Sequence, residues 1–252
     1  MEIIGRGFLA GHLAPLADEH AGAVALAAGV SWASGTSAAD FERERRLFRQ
    51  VMERCRASGR TLVFFSTASA GVYGADRPGR EDDVLTARSA YGENKLGMEQ
   101  ELRDSGIDFL VLRLSHVVGS GQPAHQLLPT LVRSLGAGQI VIQRRATRDV
   151  IDVGHVVTVL DLLLRRGIRR ETLNVATGTA VSVERIVDHL EFRLGVSADR
   201  RYVDAGTSHL VSVDKLHSLL PEVAGFGFGP DYYRTALDGY LAGTRASTEP
   251  TP

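Results

Sequence analysis

The chain has a single cysteine, Cys55, in 252 residues. That excludes an internal disulfide and any cysteine-rich metal site. No run of about 18 apolar residues is present to span a bilayer, and no basic segment followed by an apolar one opens the sequence, so no secretion signal is expected. Neither charge sign is in excess: 29 basic and 30 acidic side chains leave a formal net charge of -1, dispersed along the chain. Without a basic stripe there is no field to favour nucleic acid or an anionic membrane surface. A small specific ligand and the cytoplasm are the expectation. Lysine is scarce, with only Lys95 and Lys215 among the basic residues, so each lysine position is informative.

What is present is enough apolar material, 44% of residues, to fill one large domain or two lobes sharing a core. Short apolar runs alternate with amphipathic stretches. Met1 to Ile4, Ala23 to Ala27, TLVFF (Thr61 to Phe65), IDFLVLR, QIVIQ and TLNVA read as strands, the third being the continuous β-branched and aromatic run of a strand buried on both faces. Between them the apolar spacing predicts helices over Asp40 to Arg56, Tyr91 to Asp104, His125 to Ser134 and Val153 to Arg166. Two more follow, over Val183 to Leu194 and Asp231 to Leu241. Strands separated by helices of this length pair in parallel through right-handed crossovers, which makes the fold class α/β. Residues 243–252 are polar and proline-bearing and read as a disordered tail.

GRGFLA, Gly5 to Ala10, fits G-x-G-x-x-A between a strand and a helix. In such a turn the first glycine allows the tight bend, the second lets a pyrophosphate approach the backbone, and the small third residue lets the helix pack closely. The motif is weak by itself in a chain with 27 glycines. It also lacks the acidic residue expected at the end of a second strand about 20 residues on, which would hold the adenosine ribose. Asp18 and Glu19 come too early, with no strand before them.

A stronger signal is the pair Tyr91 and Lys95 in SAYGENK. At i and i+4 both project from one face of a helix, and an ammonium beside a phenol stabilises the phenolate, which suits Tyr91 to proton transfer at a substrate hydroxyl or carbonyl. Ser69, following a buried strand, is placed to add a hydrogen bond to the same oxygen. A surface Tyr–Lys pair on a solvated helix is the plain alternative.

Together with S-x-x-V-Y-G (Ser69 to Gly74), LRLSHVVG (Leu112 to Gly119), TRDVIDV (Thr147 to Val153) and LNVATGTAVSV (Leu173 to Val183), these motifs make the chain resemble the extended short-chain dehydrogenase/reductase family of nucleotide-sugar epimerases, dehydratases and ketoreductases. The resemblance runs from Gly5 to Leu241. It implies a Rossmann-like lobe (residues 1–118 and 149–176) binding NAD or NADP, and a small C-terminal lobe (residues 119–148 and 177–242) binding a nucleoside-diphosphate sugar. By matching position it makes Tyr91 the acid/base, Lys95 its modulator and a ligand of the cofactor ribose, and Ser69 the carbonyl partner. Gly5, Gly7, Phe8, Ala10 and Ala27 would line the cofactor. Arg148 would contact the diphosphate, unless it merely pairs with Asp149 at the surface. The family commonly dimerises through the helix bearing the Tyr–Lys pair, and Leu96, Met98 and Leu102 are compatible with a homodimer, although such residues more often belong to the core.

The chain also departs from the family pattern. AVALAAGVS corresponds to the family's fourth strand, so the parallel sheet is expected to lack the usual second and third strands, where adenine sits. Ile4 and Ala10 stand where glycine is common. His116 stands where a substrate-binding asparagine is usual, as a phosphate contact, an acid/base, a metal ligand or simply a hydrogen-bonded side chain near the strand end. The remaining histidines show no zinc-ligand spacing, so no protein-built metal site is expected. Three functions follow: an NAD(P)-linked reduction or epimerisation of a nucleotide sugar; a redox-neutral isomerisation or mutase reaction needing no NAD(P), with Mg²⁺ or Mn²⁺ on the diphosphate as an option; and a non-catalytic sensor or scaffold.

Overall fold

The computed structural model describes residues 1–30, 36–68 and 72–246. Its main sheet contains β1 (Glu2–Ile4), β2 (Ala23–Leu26), β3 (Thr61–Thr67), β4 (Phe109–Leu114) and β8 (Glu171–Val175), in that order and all parallel. Every residue of β2 and β3 is buried, as the unbroken apolar runs require of strands covered on both faces. The expected omission is therefore visible as topology. Among the described residues β1 pairs only with β2, so the strand that would lie inside a full-length sheet forms its edge.

Two helical layers cover this sheet. On one face α2 (Ala38–Ser58) and α3 (Ala90–Asp104) bury Phe48, Val51, Met98 and Leu102 against Leu62 and Phe64. On the other, α1 (Phe8–Leu13) and α5 (Val153–Arg165) pack Leu13, Val156 and Leu160 against Val63 and Leu112. The N-terminus of α2 is set by a capping box: Ser37 accepts from the Asp40 N–H at 3.2 Å, and the Asp40 carboxylate accepts from the Ser37 N–H at 2.9 Å. Such reciprocal bonds satisfy amide groups the helix leaves unpaired. Ser89 caps α3 in a similar way, accepting from the Gly92 N–H at 3.1 Å, which fixes the first turn and hence Tyr91. Deeper in α3 the buried Glu99 pairs with Arg113 of β4 at 2.7 Å. Arg113 also donates to the Tyr73 hydroxyl at 2.8 Å, and Tyr73 donates to Asn174 at 2.8 Å.

A second core lies beyond the sheet. It joins α4 (Leu127–Gly136), β6 (Gln139–Gln143), α6 (Val183–Leu194) and α8 (Tyr232–Ala246) through Leu128, Ile142, Ile186, Leu190 and Leu237. Here β5 (His116–Val118) runs parallel to β7 (Thr147–Asp152), which pairs antiparallel with β9 (Ala180–Ser182). β6 pairs with β10 (Asp199–Val203), and α7 (Asp214–Leu219) packs on β8. The elements β5, β7, β9, β10 and α7 are additions to the strands and helices expected from periodicity.

One expectation needs correction. The tail was expected to begin at residue 243, but α8 continues to Ala246 because its face is buried: Tyr240 is 5% and Leu241 7% exposed, and Thr244 donates to the Tyr240 carbonyl at 2.8 Å. Residues 247–252 lie outside the described residues. On α3, Met98 and Leu102 are fully buried in the chain's own core and Leu96 is half-buried, in line with the core alternative noted for them from the sequence.

Candidate active site

The C-terminal ends of β2, β3 and β4 open into a cavity of about 530 Å³ lined by residues from both cores. Tyr91, Lys95, His116, Arg148, Gly7, Phe8 and Ala27 all line it. Residues separated by up to 141 positions in sequence therefore share one cavity. Ser69 lies outside the described residues.

Gly5 and Ala10 take a different part. Gly5 has φ +141°, and a Cβ there would meet the Ala27 carbonyl oxygen at 2.4 Å, so glycine is required for β1 to pass close to the end of β2. Ala10 is on the buried face of α1. Neither lines the cavity. Gly7, by contrast, caps α1 with open space in front of it.

Lys95 is one turn along α3 from Tyr91, its Nζ 5.8 Å from the Tyr91 ring centre. The ammonium is already engaged. It donates to Glu44 Oε1 at 2.8 Å and to the Phe65 carbonyl at 3.3 Å, and both ion-pair side chains are 4% exposed. Burial is the largest influence on Lys95 and works to lower its proton affinity, but the phenol of Tyr91 and the carboxylate of Glu44 outweigh it and hold the ammonium above its ordinary value. Glu44 itself accepts from the Asn94 amide at 2.7 Å and the Val30 N–H at 3.1 Å. The backbone at Gly29 presses against this pair: a Cβ there would stand 2.7 Å from Glu44 Oε1 and 3.0 Å from Lys95 Nζ. Glu44 thus joins β2, α2 and α3 at the cavity wall.

Glu44 is a residue that motif reasoning missed. A signal existed, because Glu44 falls in line with Phe48, Val51 and Cys55 on the apolar stripe of α2, where an acid needs a buried partner.

Across the cavity, Arg148 projects from β7 and donates to the carbonyls of Thr147 at 2.7 Å and Thr207 at 3.1 Å. It does not pair with Asp149. Neighbouring residues on a strand face opposite ways, and Asp149 accepts instead from the Thr177 N–H at 2.9 Å and hydroxyl at 3.1 Å. His116 on β5 stacks on His209, with ring centres 5.6 Å apart and planes 27° from parallel. Burial first, then Arg148 and His209, push the His116 imidazole down to about 3. Burial and Arg148 push His209 down to about 4. His209 carried no recognisable spacing in the sequence, since its partner is 93 positions away on another element.

The lining tests the dinucleotide implied by the motifs. Its phosphate-and-nicotinamide half fits, because the cavity is continuous from the open turn at Gly7 to Tyr91 and Lys95. The adenosine half is poorly provided for: β1 is the sheet edge, Asp18 and Glu19 are exposed, and Glu19 pairs with Arg165 at 2.5 Å.

A family model decides the wider relationship. The description NAD dependent epimerase/dehydratase family matches residues 13–176, well over half of the chain. The chain belongs to that family. That family lies within the extended short-chain dehydrogenases/reductases. One similar protein, a dTDP-6-deoxy-L-talose 4-dehydrogenase (NAD(P)(+)) of Kitasatospora kifunensis, is 30% identical over 141 residues, covering 50% of this chain and 43% of that protein. This chain thus spans under half the length of that relative. Among solved structures, MoeE5 in complex with UDP-glucose and NAD superposes with a TM-score of 0.77 at 26% identity, over 97% of this chain and 86% of that one. A UDP-N-acetylglucosamine 4-epimerase from Methanobrevibacter ruminantium M1 shares the fold, with a TM-score of 0.76 at 19% identity over 94% of this chain and 80% of that one.

Proposed function

We propose that the protein reduces or epimerises a nucleoside-diphosphate hexose with the help of NAD or NADP, with Tyr91 as acid/base. The observation that carries this reading is the single cavity that puts Tyr91 and Lys95 on one wall and Arg148 and His116 on another. A volume of about 530 Å³ is in the range of sites that enclose a small organic ligand. The relatives named above bear on the ligand: the solved MoeE5 complex holds UDP-glucose and NAD.

In this reading Arg148 binds the diphosphate, with a charge that no carboxylate neutralises in the described residues. The sugar is thereby directed toward Tyr91, whose hydroxyl removes or returns the proton at the reacting sugar oxygen. Lys95 stands beside that phenol, one helical turn away. Glu44 keeps Lys95 in place. The bound cofactor supplies the hydride acceptor or donor at the sugar carbon. Residues 119–148 and 177–242 are the substrate lobe in this scheme, with residues 1–118 and 149–176 as the cofactor lobe.

A second reading, redox-neutral isomerisation without NAD(P), is favoured by the edge position of β1 and by the prior engagement of Lys95 with Glu44. Titration with NADH and NADPH, followed by nicotinamide fluorescence, separates the two. The redox reading expects a dissociation constant below about 1 mM for at least one of them. Weaker binding of both, with turnover of a nucleotide sugar by protein shown by mass spectrometry to carry no NAD, would move the assignment to the isomerase.

A further inference from the structure

The histidines at the Arg148 end of the cavity are not explained by the steps above. Both ring nitrogens of His209 and Nδ1 of His116 are sealed from solvent and have no hydrogen-bond partner among the described residues. His209 is 1% exposed, while His116 lines the cavity. A buried polar atom without a partner is costly, and native structures leave few of them. Here three such nitrogens sit on two stacked rings beside a guanidinium whose Nη1 alone is used among the described residues, on backbone carbonyls. The cluster is rich in hydrogen-bonding capacity and poor in negative charge.

Building on the nucleotide-sugar reading, we propose that Arg148, His116 and His209 form a proton-linked anion subsite, in which a diphosphate diester bound at Arg148 brings one proton from solvent onto the histidine pair. His116 faces the ligand. His209 is a positioning residue that acts through His116, by stacking on it and sharing the added charge. Two stacked imidazolium rings would repel each other, so the pair accepts one proton and titrates as a unit.

The charged and titratable groups around the pair fix the direction of the effect. Arg148 of β7 opposes protonation, and Asp149 of the same strand meets His116 through its backbone, its carboxylate facing Thr177. The same cavity is lined by Tyr91 and Lys95 of α3, Glu44 of α2 and His125 before α4. With the cavity empty of anion, burial and Arg148 keep both histidines neutral at pH 7. A doubly charged diphosphate offsets Arg148 and reverses that balance. The bound state then holds more protons than the free state, so binding strengthens as pH falls.

Calorimetry with UDP-glucose and dTDP-glucose tests this, because their diphosphate diesters do not titrate near neutrality. Measured in two buffers of different ionisation enthalpy, the protein should take up about 0.9 proton per ligand at pH 5.5 if the bound pair titrates near the ordinary histidine value of about 6.5. Affinity should be about tenfold higher at pH 5.5 than at pH 8. His116→Asn combined with His209→Phe should remove the uptake and reduce the pH effect to under about twofold. Binding by the unmodified protein with no proton uptake overturns the inference, whatever the variant does, and leaves the nucleotide-sugar reading standing. Full uptake in the double variant also overturns it. Failure of both sugar nucleotides to bind at any pH overturns this inference and the nucleotide-sugar reading together.

Discussion

Removing the carboxylate of Glu44 by Glu44→Ala should destabilise the protein more than any other change at the cavity wall. The Lys95 ammonium would keep only the Phe65 carbonyl at 3.3 Å, in a site where its side chain is 4% exposed. The Asn94 amide and the Val30 N–H would lose their acceptor as well. Breaking a buried ion pair from one side typically costs about 3–5 kcal/mol, because a charge is left without compensation. For a chain of this size that corresponds to a fall in Tm of roughly 6–20 °C. Replacing both partners by apolar side chains of similar size, Glu44→Leu with Lys95→Met, should recover most of the loss, since neither charge then needs solvation. Urea unfolding of the unmodified protein, Glu44→Leu, Lys95→Met and the double variant completes a double-mutant cycle that gives the coupling directly. A loss below about 1 kcal/mol for Glu44→Ala, or a double variant as unstable as the two single losses added, would refute the view of this pair as a sealed unit.

Three further outcomes are expected. Tyr91→Phe should lower turnover at least about 100-fold, the usual size of a lost general acid/base, while leaving ligand affinity within about threefold by calorimetry; retained turnover would remove Tyr91 from the chemistry. Gly5→Ala should destabilise by more than about 1 kcal/mol in urea, because alanine disfavours a φ of +141° and its Cβ would strike the Ala27 carbonyl. Stability should fall between pH 6.5 and 5, because the depressed values of His116 and His209 mean the unfolded chain takes up protons there that the folded chain refuses. Each neutral buried histidine contributes up to about 1.4 kcal/mol per pH unit, so His209→Phe should flatten the slope measurably.

The parts of the fold that were readable in the sequence are those governed by local pattern. TLVFF announces a doubly covered strand, and β3 is buried throughout. Val183 to Leu194 begins and ends as its apolar spacing indicates, with Ser182 capping it. β5 and β9 have only three residues each, too few to show alternation, and are strands only because β7 lies between them. At the site, the pairing of Tyr91 with Lys95 follows from helix geometry, whereas Glu44 and His209 come from elements that no motif spans. Their roles are set by tertiary packing: Lys95 needs a counter-charge, and α2 supplies it from 51 positions away. The turn at Gly5 carries a similar lesson, since the glycine meets a neighbouring strand and does not line the cavity.

The burial of Lys95 gives the molecule a built-in reporter. With two lysines in the chain, Lys215 alone offers a side-chain amine within reach of solvent, its side chain 35% exposed beside Glu171. An acylating reagent will therefore modify Lys215 readily, and Lys95 only when α2 and α3 part. The rate at which the peptide containing Lys95 gains mass measures how often that seam opens.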